Sequence, residues 1–206
     1  MDDLEKLLTS RNMPDITYIL KQKKVAIAGL GGLGSNIAVM LARIGVGKLF
    51  LVDFDKVEAS NLNRQHYNIN HIGIQKTEAL KSQIELINPF IEIEIKDIKI
   101  TEENALEIFR GYQIVCEAFD NPIYKAILVN ALLENGDTKI VAASGMAGYN
   151  SANNIKTTRN MKNLYISGDG VPAIDGGIGL MAPRVMVCAS HQANMVLRLL
   201  LDMEEE

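Results

Sequence analysis

Gly29-Leu30-Gly31-Gly32-Leu33-Gly34 follows a short apolar run, Lys24–Ala28, and opens a stretch, Gly32–Gly45, with Leu33, Ile37, Met40, Leu41 and Ile44 at helical spacing. A second apolar run, Leu49–Asp53, ends in an acid. Strand, glycine-rich turn, helix, strand and acid together make the βαβ nucleotide-binding unit. Glycines there let backbone N–H groups approach a phosphate closely, and the helix that follows aims its positive dipole end at the same anion. Gly29, Gly31, Gly32 and Gly34 are therefore expected around a phosphate, and Asp53 on the ribose hydroxyls. A packing turn is the alternative for the glycines.

The next segment, Ser60-Asn61-Leu62-Asn63-Arg64-Gln65, narrows that reading. A dehydrogenase uses the glycines and Asp53 in the same way but has no job for a fixed cation here. The Arg64 guanidinium can bind phosphate oxygens bidentately, and Asn61, Asn63 and Gln65 surround it with amide donors. A solvated loop arginine is the bland alternative. Lys76 opens the next helix, either as a second phosphate ligand or as an exposed helix lysine. Asp55 is read either as a second ligand or as a loop cap. Asp120 ends the apolar strand Ile114–Phe119, in the crevice where α/β sheets bind ligands. Its carboxylate suits Mg²⁺ with retained waters, or else an N-cap for the helix starting at Pro122, a role Asn121 can also fill. Phosphate-directed cations move the expected chemistry from hydride transfer to adenylyl transfer.

The rest of the chain fits one α/β domain. Its 206 residues suffice for one sizeable core. A helix is expected over Gly73–Asn88 and strands over Ile91–Ile95 and Ile140–Ala143. Short and longer helices are expected near Glu102–Arg110 and up to about Glu134, and a long helix over Met181–Leu201. Residues 1–22 read as a helical arm. Residues 150–180 read as a glycine-rich crossover, with strand potential at Asn154–Thr158. The expected architecture is a doubly wound, Rossmann-like sheet with an N-terminal βαβ nucleotide-binding unit and a C-terminal extension, one domain over 1–206.

A net charge of -4 argues against nucleic acid or an anionic membrane as partner. No apolar run approaches membrane-spanning length, and no signal core precedes the acidic start, so a cytoplasmic protein is expected. The two cysteines, Cys116 and Cys188, sit in apolar surroundings, with no C-x-x-C pair to hold zinc. His66, His71 and His191 lack metal-ligand spacing.

These pieces resemble the ThiF/MoeB/HesA superfamily, relatives of the ubiquitin-activating enzymes. The resemblance runs through Gly29–Ser35, Ala42-Arg43-Ile44-Gly45-Val46-Gly47, Val52-Asp53-Phe54-Asp55, Ser60–Gln65, Lys76, Asn88-Pro89, Asp120-Asn121 and Gly179-Leu180-Met181-Ala182-Pro183. Glu117–Asn121, Ser144–Tyr149 and His191–Met195 look most like a short, zinc-free ThiF subfamily. The resemblance implies ATP-dependent adenylylation, with Mg²⁺, of the C-terminal glycine of ThiS, the ubiquitin-like sulfur carrier of thiamine thiazole synthesis. It also implies a homodimer in which an N-terminal arginine, here Arg11, reaches the other protomer's ATP. Crossover 150–180 contains no cysteine, so adenylylation without covalent capture of the carrier is expected. The same chemistry on a molybdopterin-synthase-type carrier or another carboxyl or amide acceptor is the alternative. From other classes come an NAD-binding oxidoreductase and an inactive carrier-binding scaffold.

Overall fold

Continuous apolar runs such as Val25-Ala26-Ile27-Ala28 and Leu49-Phe50-Leu51-Val52 cannot expose either face, so they require a sheet covered on both sides. The computed structural model describes residues 3–171 and 179–206. Helices α1 (Asp3–Leu8) and α2 (Ile16–Lys21) lead into β1 (Lys24–Ala28), α3 (Gly34–Arg43) and β2 (Lys48–Asp53). Two 3₁₀ turns, Ala59–Asn61 and Ile69–His71, precede α4 (Lys76–Ile87) and β3 (Glu92–Asp97). Then come α5 (Ala105–Ile108), β4 (Ile114–Glu117), α6 (Pro122–Asn135) and β5 (Lys139–Ala143). A hairpin of β6 (Lys156–Met161) and β7 (Leu164–Gly168) precedes α7 (Ala182–Leu200).

The sheet order is β3-β2-β1-β4-β5-β7-β6, parallel except for β6 against β7. Alternate residues feed two cores. Val25, Ile27, Leu49, Leu51 and Cys116 pack under α3, α4 and α7, while Ala26, Ala28, Phe50, Val52 and Val115 pack under α5 and α6. From β1 the chain winds outward through β2 and β3, then returns to β4 on the other side. The order therefore reverses between β1 and β4, and a crevice opens at their carboxyl ends.

The helical arm lies at the opposite end of the strands. The Asn12 amide donates to the Ile44 carbonyl at 3.1 Å, and Gly47 N–H donates to the Leu20 carbonyl at 2.9 Å. The arm thus caps the end of α3 remote from the glycine turn.

The expected strands and helices form with shifts of a few residues. The segment expected as a loose crossover differs most. It contains the β6–β7 hairpin, with Thr157 Oγ1 and Ser167 Oγ 2.9 Å apart across the pair. Leu164-Tyr165-Ile166 is the apolar run that builds β7, with Tyr165 fully buried under α7. Residues 172–178 of the expected crossover lie outside the described residues.

Two glycines of the turn are fixed by close approach. Gly29 has φ +89°, and a Cβ there would lie 2.9 Å from the Ala118 carbonyl oxygen. A Cβ on Gly34 would lie 1.8 Å from the Gly29 carbonyl oxygen. In an open helix, alanine for glycine would stabilise by about 1 kcal/mol. At Gly34 the clash reverses the sign. Gly34→Ala is expected to lose more than the usual overpacking penalty of about 1–3 kcal/mol, read as a lowered urea midpoint.

Both cysteines are buried and free. Burial pushes the Cys116 thiol well above its ordinary value and the Cys188 thiol up to about 12. Both thiols should therefore be protonated at pH 8 and resist iodoacetamide until urea unfolds the chain. Alkylation of either in the native protein would contradict this burial.

Candidate functional site

At the β1–β4 crevice lies a cleft of about 220 Å³. Its floor is the glycine turn, where Gly29, Gly31 and Gly32 face the opening. Phe54, Ile98, Phe119 and Tyr124 make an apolar wall, and Met146, Leu180 and Val185 lie across from it. Asp53, Asp55, Arg64, Gln65, Lys76, Asp120 and Asn121 supply the polar lining. A larger depression of about 700 Å³ sits at the other end of the strands. It holds lysines but no glycine turn, and Lys21, Lys48 and Lys139 there already pair with glutamates.

Asp53 is 7% exposed and bonds to three backbone amides. One carboxylate oxygen accepts from Leu30 N–H at 2.6 Å, and the other from Phe54 N–H at 2.7 Å and Asp55 N–H at 2.8 Å. Burial raises the pKa of this carboxyl, against the pull of the Lys76 charge and these donors. The acid expected on a ribose thus also holds the glycine turn. Tyr67, which sequence reasoning passed over, completes the grip by donating its hydroxyl to the Leu30 carbonyl at 2.9 Å.

The Arg64 loop is held by the start of α3. The Asn36 amide donates to the Gly32 carbonyl at 2.7 Å and the Arg64 carbonyl at 3.1 Å, and Ser35 Oγ accepts from His66 N–H at 3.0 Å. The methylenes of Arg64 lie along Gly32, where a Cβ would come within 3.4 Å of Arg64 Cγ. Its Nη1 donates to the Ser60 carbonyl at 3.2 Å and to Asn63 Oδ1 at 2.8 Å. Among the described residues no carboxylate pairs with Arg64, so its charge is available to an anion.

Lys76 is no exposed helix lysine: it is 6% exposed, with Nζ 2.9 Å from Asp55 Oδ2. Asp55 is therefore neither a loop cap nor an isolated ligand; its half-exposed carboxylate is the lysine's partner. Asn121 takes the α6 cap, accepting from Ile123 N–H at 2.8 Å and Tyr124 N–H at 3.4 Å. That leaves the Asp120 carboxylate exposed at the cleft with no partner among the described residues. One uncommitted carboxylate facing a phosphate site fits Mg²⁺, which uses one or two carboxylates together with substrate oxygens and water.

Four expected site residues stand elsewhere. Asn61 closes its own 3₁₀ turn, its Oδ1 accepting from Glu58 N–H at 3.0 Å. Asn63 donates to the Leu180 carbonyl at 3.2 Å and does not line the cleft. Gly34 is buried behind Gly29 as a packing glycine. Arg11 is exposed on the arm and does not line this chain's own cleft. Gln65 stays at the cleft, 7% exposed, with an unpartnered Oε1 and its amide 3.8 Å from where a Gly31 Cβ would project.

Behind Asp120 lies a buried support that the sequence motifs did not disclose. Glu117 is fully buried, accepts from Phe119 N–H at 2.7 Å and pairs with Lys125 of α6. Burial raises its carboxyl pKa, with Lys125 as the main opposing influence. Gln192 of α7 donates to the Glu117 and Val141 carbonyls, each at 3.1 Å. β4, β5, α6 and α7 are thereby pinned at the turn that presents Asp120.

The ThiF family profile matches residues 8–206. Ubiquitin-like modifier-activating enzyme 5 of Caenorhabditis briggsae is 42% identical over 92 residues, 45% of this chain and 21% of that protein. Adenylyltransferase and sulfurtransferase UBA4 of Saccharomyces cerevisiae is 35% identical over 128 residues, 62% of this chain and 29% of that protein. The aligned stretches span under a third of either relative. Among solved structures, the ATP complex of Escherichia coli tRNA N6-threonylcarbamoyladenosine dehydratase, TcdA, matches with a TM-score of 0.87 at 21% identity, over 98% of this chain and 96% of that one. Escherichia coli MccB with ATP matches with a TM-score of 0.74 at 22% identity, over 92% of this chain and 59% of that one. The structural likenesses establish the shared α/β fold, and with a family match across nearly the whole sequence the chain belongs to the ThiF family.

Proposed function

We propose that this chain uses ATP and Mg²⁺ to adenylylate the C-terminal glycine carboxylate of a ubiquitin-like sulfur carrier of the ThiS type, acting as a homodimer. The observation that carries the reading is the pairing pattern in the cleft. Among the described residues Arg64 has no carboxylate partner, Lys76 is matched by a half-exposed acid, and Asp120 is uncommitted, all around one glycine turn. A nicotinamide site would leave these groups without a task. The names of relatives point the same way: one is a ubiquitin-like modifier-activating enzyme, one an adenylyltransferase and sulfurtransferase, and TcdA and MccB were solved with ATP.

In the reaction the carrier carboxylate attacks the α-phosphorus. A carboxyl oxygen–phosphorus bond forms, the bridging bond between the α- and β-phosphates breaks, and pyrophosphate leaves. Two anions meet, so the protein's work is alignment and charge neutralisation. Arg64 and Lys76 bind phosphate oxygens, with Lys76 exchanging Asp55 for the nucleotide. Asp53 meets the ribose with the lone pairs its backbone donors leave free. Asp120 would hold Mg²⁺, which neutralises phosphate charge. Neither buried thiol takes part.

Arg11 sits beyond the far end of α3, so its contribution has to come in trans. The arm that carries it exposes Leu7 (70%), Met13 (71%) and Tyr18 (70%), an apolar face suited to a second copy.

Arg64→Ala and Asp120→Ala should each lower carrier-dependent exchange of pyrophosphate into ATP by about 10²–10³-fold while the protein stays folded. Wild-type exchange in both would make these residues surface groups. If Arg11 acts in trans, mixing the inactive Arg11→Ala and Arg64→Ala variants should restore about a quarter of wild-type activity, since heterodimers regain one intact site. No recovery after subunit exchange would overturn action in trans, and wild-type activity in Arg11→Ala alone would remove Arg11 from the mechanism. Exchange with a molybdopterin-synthase-type carrier but not with a ThiS-type carrier would reassign the acceptor.

A further inference from the structure

Asn63 joins two parts of the molecule that are far apart in sequence. Its Oδ1 accepts from Arg64 Nη1 at 2.8 Å, and its Nδ2 donates to the Leu180 carbonyl at 3.2 Å. Both neighbours line the cleft, whereas Asn63 does not. One planar amide therefore bridges the cation of the Arg64 loop and the Leu180 backbone.

Among the described residues the Leu180 segment has few other polar ties. Gly148 N–H donates to the Gly179 carbonyl at 2.9 Å, giving a single bridge to the loop after β5. Farther along, Arg184 anchors the start of α7. Its Nη1 donates to the Asn150 carbonyl at 2.9 Å and the Ser151 carbonyl at 3.0 Å, and it pairs with Asp169. Val185 packs on the glycine turn, where a Gly32 Cβ would meet its Cγ1 at 2.9 Å. Among the described residues, the Asn63 amide is a polar link from this stretch to the phosphate side, beside the apolar contact of Val185 with Gly32.

We infer that Asn63 is a positioning residue, a clasp that couples Arg64 to the Leu180 side of the cleft. Both of its hydrogen bonds are exposed and single, so each is worth little alone and strengthens when a bound anion holds Arg64 in place. Phosphate binding then reorders the Gly179–Val185 stretch, where the acceptor tail must pass to reach the α-phosphorus. The coupling to acceptor entry rests on the adenylylation reading; the clasp itself rests on the two hydrogen bonds.

Hydrogen exchange on the full chain tests it, comparing wild type with Asn63→Ala and Asn63→Asp, each with and without ATP and Mg²⁺. Asp keeps the acceptor for Arg64 but cannot donate to the Leu180 carbonyl. Without nucleotide, residues 179–185 should exchange about tenfold faster in both variants than in wild type. With nucleotide, wild type should gain protection at both 29–34 and 179–185, and Asn63→Ala at 29–34 only. Equal exchange of 179–185 in wild type and Asn63→Ala, or the same ATP-induced protection there in both, would overturn the clasp. Absence of ATP protection at 29–34 in wild type counts against the nucleotide reading instead, and the nucleotide-free comparison still judges Asn63.

Discussion

The Asp53 carboxylate is the constraint on which the cleft depends. It ends β2, yet it holds the Leu30 amide at the end of β1, so the exits of two adjacent strands move as one. Gly34 closes the turn from behind, and Tyr67 takes the Leu30 carbonyl. A buried carboxylate is costly unless donors surround it. Here three backbone amides and the nearby Lys76 charge offset part of that cost. The outcome is a floor held at both ends, with Gly31 and Gly32 lining the opening, which is the preorganisation that anion binding needs.

Around that floor, charges are distributed unequally. Among the described residues Arg64 is held only by neutral oxygens, from Ser60 and Asn63, which leaves its charge for a ligand. Lys76 is buried and kept in place by Asp55, which is half exposed and so screened by water. A polyphosphate can displace that weak partner without leaving a buried charge alone. Asp120, on the opposite rim, is kept available because Asn121 performs the capping that Asp120 would otherwise do. Glu117 and Gln192 then fix the backbone that carries it.

Much of this was legible in the sequence because the local rules agree. Glycine spacing, two-sided apolar strands and the acid after β2 all specify the βαβ unit, whereas the two roles open to Asp120 are separated only by the Asn121 cap contacts in the fold. What escaped notice depends on contacts distant in sequence. Nothing in Asn61-Leu62-Asn63-Arg64-Gln65 separates a ligand-side amide from a turn-closing or a bridging one, since the three differ only in which backbone they meet. In sequence Lys76 reads either as a phosphate ligand or as an exposed helix lysine, because its helix position carries no sign of Asp55 folding over it. β7 was hidden by the glycines that follow it, although Leu164-Tyr165-Ile166 held a strand signal. Glu117 is a charged residue ending an apolar run, and its burial appears only once Lys125 and Gln192 are brought beside it.

The central claim, that this cleft is built for a nucleoside triphosphate and not for a dinucleotide, is tested most directly by titration calorimetry. ATP with Mg²⁺ should bind saturably to the wild-type chain, weaken sharply in Arg64→Ala, and compete with AMP, while NAD gives no saturable heat. Saturable binding of NAD, unaffected by Arg64→Ala and accompanied by no binding of ATP, would contradict the account.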